Sequence, residues 1–286
     1  MLYLPKDLPV SQTLQTVTYA LHDWHSVAGC ERVLLLNLMP QKEVTEMDIA
    51  RTLQQTGLPL QIIPIKISGQ HYKNTSEEHM DRFYLNFEDV ALEYFDRLII
   101  TGAPLEQIEF EEVRYWDRLC YIMDWADRHV ARTLYICWAA QAGLYHFYNI
   151  HKHPLENKMF GIFLQQVLVK DHTLMTGLCP DFPMPNSRHT EVQKEEICRK
   201  ADALLQILAE SRESGVGVMA TSDLKRTFIV GHLEYAPDTL HNEYWRDMNK
   251  GLPILPPEHY YREDKSIDYS WQQAAVIFYH NWLRAE

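Results

Sequence analysis

The sequence predicts an α/β fold with a mostly parallel sheet and helices on both of its faces. Two observations carry the prediction. Short continuous apolar runs recur along the first half of the chain, as expected of strands buried on both faces. Segments of helical periodicity separate them, and this strand–helix alternation is the rhythm of a parallel sheet.

Residues 32–37 form the first such run. Residues 43–56 follow with helical spacing of Val44, Met47, Ile49, Ala50 and Leu53. Residues 60–65 read as a strand, and Pro64 places that strand at an edge or an end of the sheet. Residues 97–101 are a buried strand that stops at Gly102. Residues 111–130 predict an amphipathic helix, with Val113, Trp116, Leu119, Ile122, Met123 and Ala126 on one stripe. Residues 133–136 are a strand, and a helix opens at Trp138.

The pattern loosens beyond residue 150. Residues 159–170, 215–221 and 227–230 read as strands, residues 202–210 as a helix, and residues 271–283 as an aromatic-rich closing helix. Neither an internal repeat nor an obvious linker interrupts residues 31–286, which predict a single domain. Residues 1–30 read as an N-terminal extension that packs against a partner subunit.

Composition narrows the class. A chain of 286 residues, 46% hydrophobic, has enough apolar surface for one large core. Its formal net charge of −12, with no basic stripe, argues against a nucleic-acid partner. No apolar stretch approaches the ~18 residues of a membrane span, and the mean hydropathy of −0.32 agrees. The five cysteines, Cys30, Cys120, Cys137, Cys179 and Cys198, are odd in number and widely spaced, which argues against a disulfide framework and against a zinc site. A reducing cytoplasm is expected, and residues 1–9 lack the pattern of a secretory signal.

Cys137 is the most informative residue. It lies between a strand and the start of a helix, where unpaired N–H groups and the helix dipole favour the nucleophilic thiolate. The N–H of Trp138 is positioned to hold the oxyanion formed when that thiolate attacks a carbonyl. A base is also needed. His232 follows a strand that stops at Gly231, and Glu234 comes two residues later. In an extended segment the two side chains point the same way, so Glu234 would orient the imidazole. The three residues predict a Cys–His–Glu triad.

A set of motifs then resembles a known family. They are Leu36-Asn37-Leu38-Met39-Pro40-Gln41-Lys42 with Thr45-Glu46, Lys73-Asn74-Thr75, Thr101-Gly102-Ala103-Pro104, Phe110-Glu111-Glu112-Val113-Arg114-Tyr115-Trp116, Cys137-Trp138-Ala139-Ala140-Gln141-Ala142, Ser187-Arg188-His189 and Gly231-His232-Leu233-Glu234-Tyr235. In this order they resemble the homoserine O-acyltransferases of methionine biosynthesis that are built on a flavodoxin-like, class I glutamine-amidotransferase-like fold. The similarity runs from about residue 32 to the end.

The resemblance implies ping-pong acyl transfer. Cys137 would carry the acyl group from an acyl-CoA, and His232 would activate the acceptor hydroxyl. It implies acceptor-binding roles for Lys158, Ser187 and Arg246. At Glu106 it implies acetyl-CoA as cosubstrate, because a glutamate fills the space that a succinyl tail would need and repels its carboxylate. It further implies a homodimer with no bound cofactor. Without the resemblance, Lys158 and Arg246 read as solvated charges, Ser187 as a serine in a turn-rich loop, and Glu106 as part of an acidic surface loop.

The chain departs from the family pattern at Asn186, Leu233, Ala236 and Gln272-Gln273-Ala274, and it lacks the usual aromatic C-terminal tail. It is therefore expected to be a divergent member with a shortened C-terminus. Serine O-acetyltransferase is an alternative, since serine and homoserine differ by one methylene, worth only ~1–3 kcal/mol in a pocket. Homoserine O-succinyltransferase is another. A glutamine-hydrolysing amidotransferase is a third, although its Gly-x-Cys-x-Gly elbow is missing. A regulatory domain with a vestigial site is the non-enzymatic alternative.

Overall fold

The computed structural model describes residues 1–70, 72 and 74–285. Among them, twelve strands join into one sheet. In chain order the elements begin β1 (Leu2–Pro5), α1 (Pro9–Thr13), β2 (Val17–Tyr19), β3 (Glu31–Leu36), α2 (Lys42–Gln55) and β4 (Leu60–Lys66). Next come α3 (Glu77–Phe83), β5 (Leu85–Asn86), α4 (Phe87–Val90), β6 (Phe95–Ile100), α5 (Trp116–His129), β7 (Val130–Ile136) and α6 (Trp138–Tyr148). The rest are β8 (His153–Val167), β9 (Asp181–Glu191), α7 (Lys194–Ala201), β10 (Leu205–Ser211), β11 (Gly215–Thr221), β12 (Arg226–Ile229), α8 (Thr239–Asn249) and α9 (Gln272–Arg284).

The sheet runs β2-β1-β4-β3-β6-β7-β12-β11-β10-β8-β9, with β5 added to β4. Strands from β2 to β12 pair in parallel, and those from β12 to β9 pair antiparallel. The predicted α/β fold with a mostly parallel sheet is therefore present. Two large apolar clusters fill its two sides. Leu34, Leu36, Ile63, Leu98, Ile100 and Tyr135 face α5 and α6. Val33, Leu35, Ile62, Ile99, Leu134 and Ile136 face α2 and α9. This alternation along each strand is what two covered faces demand.

Residues 1–30 supply β1 and β2 at the edge of the same sheet. Leu2, Leu4, Leu8, Val10, Tyr19 and Trp24 are buried there. The Tyr19 hydroxyl donates to Ile62 O at 2.6 Å, and Gln61 donates to Trp24 O at 2.7 Å.

Four local expectations need correction. β4 is an interior strand, and Pro64 pairs with Leu35 of β3. On its other side β4 has no strand partner between Gln61, which pairs β1, and Ile65, which pairs β5, and Pro64 lies in that gap. The helix expected at 111–130 begins only at Trp116, because Val113 is extended and a 3-10 turn at Phe110–Glu112 precedes it. Residues 205–210, expected to be helical, form β10, whose pairing with β8 and β11 overrides the helical propensity of Leu and Ala. The stretch Pro183–Ser187 is strand β9 rather than a turn. Its two prolines are tolerated because β9 is the edge of the sheet. No helix of the described residues is long and apolar enough to cross a membrane.

Candidate active site

Three neighbouring parallel strands, β6, β7 and β12, release their chains side by side. Gly102, Cys137 and His232 follow the ends of these strands by two, one and three residues, so the sheet order gathers them. Cys137 is held at φ 53° and ψ −115°, a region that side chains other than glycine rarely occupy. Its N–H donates to Ile229 O at 2.7 Å, and its carbonyl accepts the Gln141 N–H at 3.2 Å, starting α6. Trp138 is the first residue of α6, so its N–H has no acceptor within the helix.

His232 is buried, and its Nδ1 lies 2.7 Å from Glu234 Oε1. Burial disfavours the imidazolium. The Cys137 thiolate and the Glu234 carboxylate outweigh it, so the His232 pKa stands well above its usual value. The Leu233–Glu234 segment is a turn rather than the extended chain expected, yet the carboxylate still reaches the ring. The His232 N–H donates to Pro185 O at 2.8 Å. This approach depends on Gly231, where a Cβ would stand 2.7 Å from the same carbonyl oxygen.

A cavity of about 400 Å³ opens over Cys137 and His232, and Glu106, Lys158, Ser187 and His189 line it. Lys158 Nζ lies 2.7 Å from Glu243 Oε1, and the Ser187 hydroxyl donates to the same oxygen at 2.9 Å. Arg246 binds both oxygens of Asp247, at 2.7 and 2.9 Å, and stands 3.5 Å from Glu243 Oε1. It lines an adjoining cavity that shares Met39, Pro104 and Tyr235 with the first. Lys158, Ser187 and Arg246, far apart in sequence, thus meet around Glu243. Burial raises the Glu106 carboxyl to a pKa of about 7, against the opposing pull of His232 and Lys158.

The family model described as homoserine O-succinyltransferase matches residues 2–285. The chain belongs to the homoserine O-succinyltransferase family. As a member it is an O-acyltransferase. Among its relatives, a homoserine O-acetyltransferase of Azobacteroides pseudotrichonymphae is 44% identical over 99% of this chain and 91% of its own length. One from Bacteroides thetaiotaomicron is 44% identical over 99% and 94%. One from Lachnoclostridium phytofermentans is 45% identical over 97% and 94%. The fold is also that of a glutamine amidotransferase from Thermotoga maritima, with a TM-score of 0.58 at 12% identity over 90% of this chain and 100% of that one.

Sequence reasoning missed several residues around this site. Glu243 carries no local motif of its own and stands out only once Lys158 and Ser187 converge on it. Lys152 donates to the carbonyls of Glu106, at 2.8 Å, and of Ile108, fixing the loop that carries Glu106. Arg188 is buried and, among the described residues, donates to neutral acceptors, Asn186 Oδ1, Thr190 O and Ser214 O. It belongs to the Ser187-Arg188-His189 motif, but nothing in the sequence reveals its burial. In the opening motif, Asn37 binds Lys42 O and Tyr84, and the Thr101 hydroxyl accepts the Leu38 N–H at 2.8 Å, which ties the ends of β3 and β6 together. Lys73 of the Lys73-Asn74-Thr75 motif lies outside the described residues.

Proposed function

We propose that the protein is an acetyl-CoA-dependent homoserine O-acetyltransferase of methionine biosynthesis, working through an acyl-enzyme on Cys137. The observation that carries the mechanism is the strained turn at Cys137 beside the His232–Glu234 pair, within one cavity that also holds Lys158 and Ser187. The names of the relatives support the homoserine acceptor and the acetyl donor.

In the first half-reaction the Cys137 thiolate attacks the thioester carbonyl carbon. The carbonyl oxygen takes the negative charge and is held by the Trp138 N–H. The carbon–sulfur bond to CoA breaks, the CoA thiolate leaves with a proton from His232, and Cys137 keeps the acyl group. In the second half-reaction His232 takes the proton of the acceptor hydroxyl. The alkoxide attacks the Cys137 thioester, and collapse releases the ester and restores the thiolate. Glu234 holds the imidazole in orientation throughout.

Homoserine carries both charges of an α-amino acid. Glu243 receives the ammonium group, while Lys158 and Arg246 receive the carboxylate. Arg246 must first turn from Asp247. Glu106 disfavours a donor with a terminal carboxylate. No metal or bound cofactor takes part in this reading. The protein works in the cytoplasm, where its five free thiols stay reduced. It forms a homodimer, for which the exposed Trp245, Met248, Leu252 and Leu255 offer an apolar face.

The test is steady-state kinetics with homoserine and serine, each with acetyl-CoA and succinyl-CoA. A higher kcat/KM for homoserine with acetyl-CoA is expected. A preference for serine or for succinyl-CoA would sink the corresponding half of the assignment.

A further inference from the structure

A second and larger cavity, about 920 Å³, adjoins the catalytic one. The two share Met39, Ala103, Pro104, Leu105 and Ile108 as a common wall. The larger cavity lies at the place where the chain reverses its order in the sheet. From β3 it steps one way to β4, and it returns to the other side of β3 as β6. The loops leaving β3 and β6 both line the cavity, through Leu38–Pro40 and Ala103–Leu105. In open α/β sheets a crevice at such a reversal, beyond the carboxyl ends of the strands, is where ligands bind.

The lining has two characters. Near the shared wall it is apolar, with Leu38, Ile67, Leu105, Ile108 and Val113. Farther along the α5 entry it carries Arg114 and Arg118. Arg118 is held by Glu88 and lies over the rings of Phe87 and Tyr121. Arg114 is exposed and has no ion-pair partner among the described residues. In a chain with a net charge of −12, an arginine without a counter-charge at a cavity mouth marks a place for an anion.

We infer that this cavity takes the CoA portion of the donor, with the apolar wall along the pantetheine arm and Arg114, seconded by Arg118, on its phosphates. The inference rests on the acyl-transfer reading, which requires the thioester to reach Cys137. Continuity with the catalytic cavity provides that route. The apolar stretch suits a long arm of low charge, and the guanidinium fork suits phosphate oxygens. Glu112, Glu88 and Lys42 line the cavity as well. Glu88 is taken up by Arg118 and Lys42 is buried with its Nζ on Asn37 O, so Arg114 is the exposed cation on which phosphate binding depends.

Arg114→Glu and Arg114→Ala test this without touching the catalytic cavity. CoA binding by calorimetry needs no turnover, and KM can be compared for acetyl-CoA and for acetyl-pantetheine, which lacks the diphosphate and the nucleotide. A charged phosphate contact is worth on the order of 10- to 100-fold in affinity. We expect a loss of that size for CoA and in KM for acetyl-CoA. KM for acetyl-pantetheine and for homoserine should stay unchanged. Unaltered CoA binding in Arg114→Glu overturns the inference, as does an equal loss with acetyl-pantetheine. A wild type that binds CoA but never acylates Cys137 would instead remove the catalytic reading, leaving the CoA site standing.

Discussion

His232 stacks face to face on Tyr235, with ring centroids 4.0 Å apart and planes within 11° of each other. The stack covers one face of the imidazole, and Glu234 holds its Nδ1 edge at 2.7 Å. The opposite edge, with Nε2, is left for the proposed proton transfer beside Cys137. If His232 is the base as proposed, Tyr235 positions it, and Tyr235→Leu should lower kcat while leaving the acceptor KM nearly unchanged. Full activity in that variant would show that Glu234 and Pro185 orient the ring unaided.

Cys137→Ser should lose nearly all turnover. Mixing the wild type with acetyl-CoA and no acceptor should add one acetyl group to the peptide that contains Cys137. Mass spectrometry reads this directly. An acetyl group on another cysteine would end the proposed mechanism.

His232→Ala should reduce kcat by about 10²–10⁴-fold, the usual contribution of a general base. Glu234→Gln should cost less, because it keeps a hydrogen-bond acceptor for Nδ1 but removes the charge. A Glu234→Gln variant with the wild-type rate would reduce the triad to a dyad.

Glu106 has its pKa raised by burial from the usual carboxylate range to about 7. Lowering the pH through 7 neutralises it and weakens repulsion of a succinyl carboxylate. The kcat/KM ratio of succinyl-CoA to acetyl-CoA should therefore rise as pH falls from 8 to 6. In Glu106→Gln the ratio should be higher and flat with pH. The same shift bears on stability. The folded protein holds this proton more tightly than the unfolded chain, so the carboxyl favours the folded state at low pH relative to high. That advantage declines as pH rises from about 4.5 to about 7. Thermal melts of wild type and Glu106→Gln across this window measure it.

Gly102→Ala should impair turnover with little loss of stability. The added Cβ would stand 3.2 Å from Cys137 Cβ and 3.7 Å from His232 Cε1. The first distance is tight enough to displace the thiol by a few tenths of an ångström, and catalytic geometry tolerates little misplacement. A variant with wild-type kcat would show that the turn absorbs the methyl group.

In the parallel half β3, β4, β6 and β7 were legible because each is an apolar run, whereas β1, β2 and β5 were not: residues 1–30 read as an extension, and short β2, largely exposed, is a strand only through its pairing with β1. The same holds for Cys137, which follows its run immediately, and for His232, which follows its run after Gly231. The antiparallel half was harder. β9 contains two prolines that only an edge strand accepts, and β10 contains residues with helical propensity. Both are strands because of what they lie against, which local sequence does not carry. Lys158, Ser187 and Arg246 came from the family resemblance alone. Their common partner Glu243 became visible only when β8, β9 and α8 were brought together in space.

That last arrangement separates the chain's two chemical tasks. The thiol and its proposed base sit on loops of the parallel half, whereas the groups proposed to hold the acceptor sit on β8, β9 and α8. The side chains of Lys158, Ser187, Glu243 and Arg246 make no hydrogen bond to Cys137, His232 or Glu234 among the described residues, whereas Pro185 and Thr190 on the same β9 brace His232 and Gln141. On the proposed reading, a change of acceptor alcohol is therefore open to substitutions at those four positions that leave the thiol and its base in place, but not to a free redesign of β9.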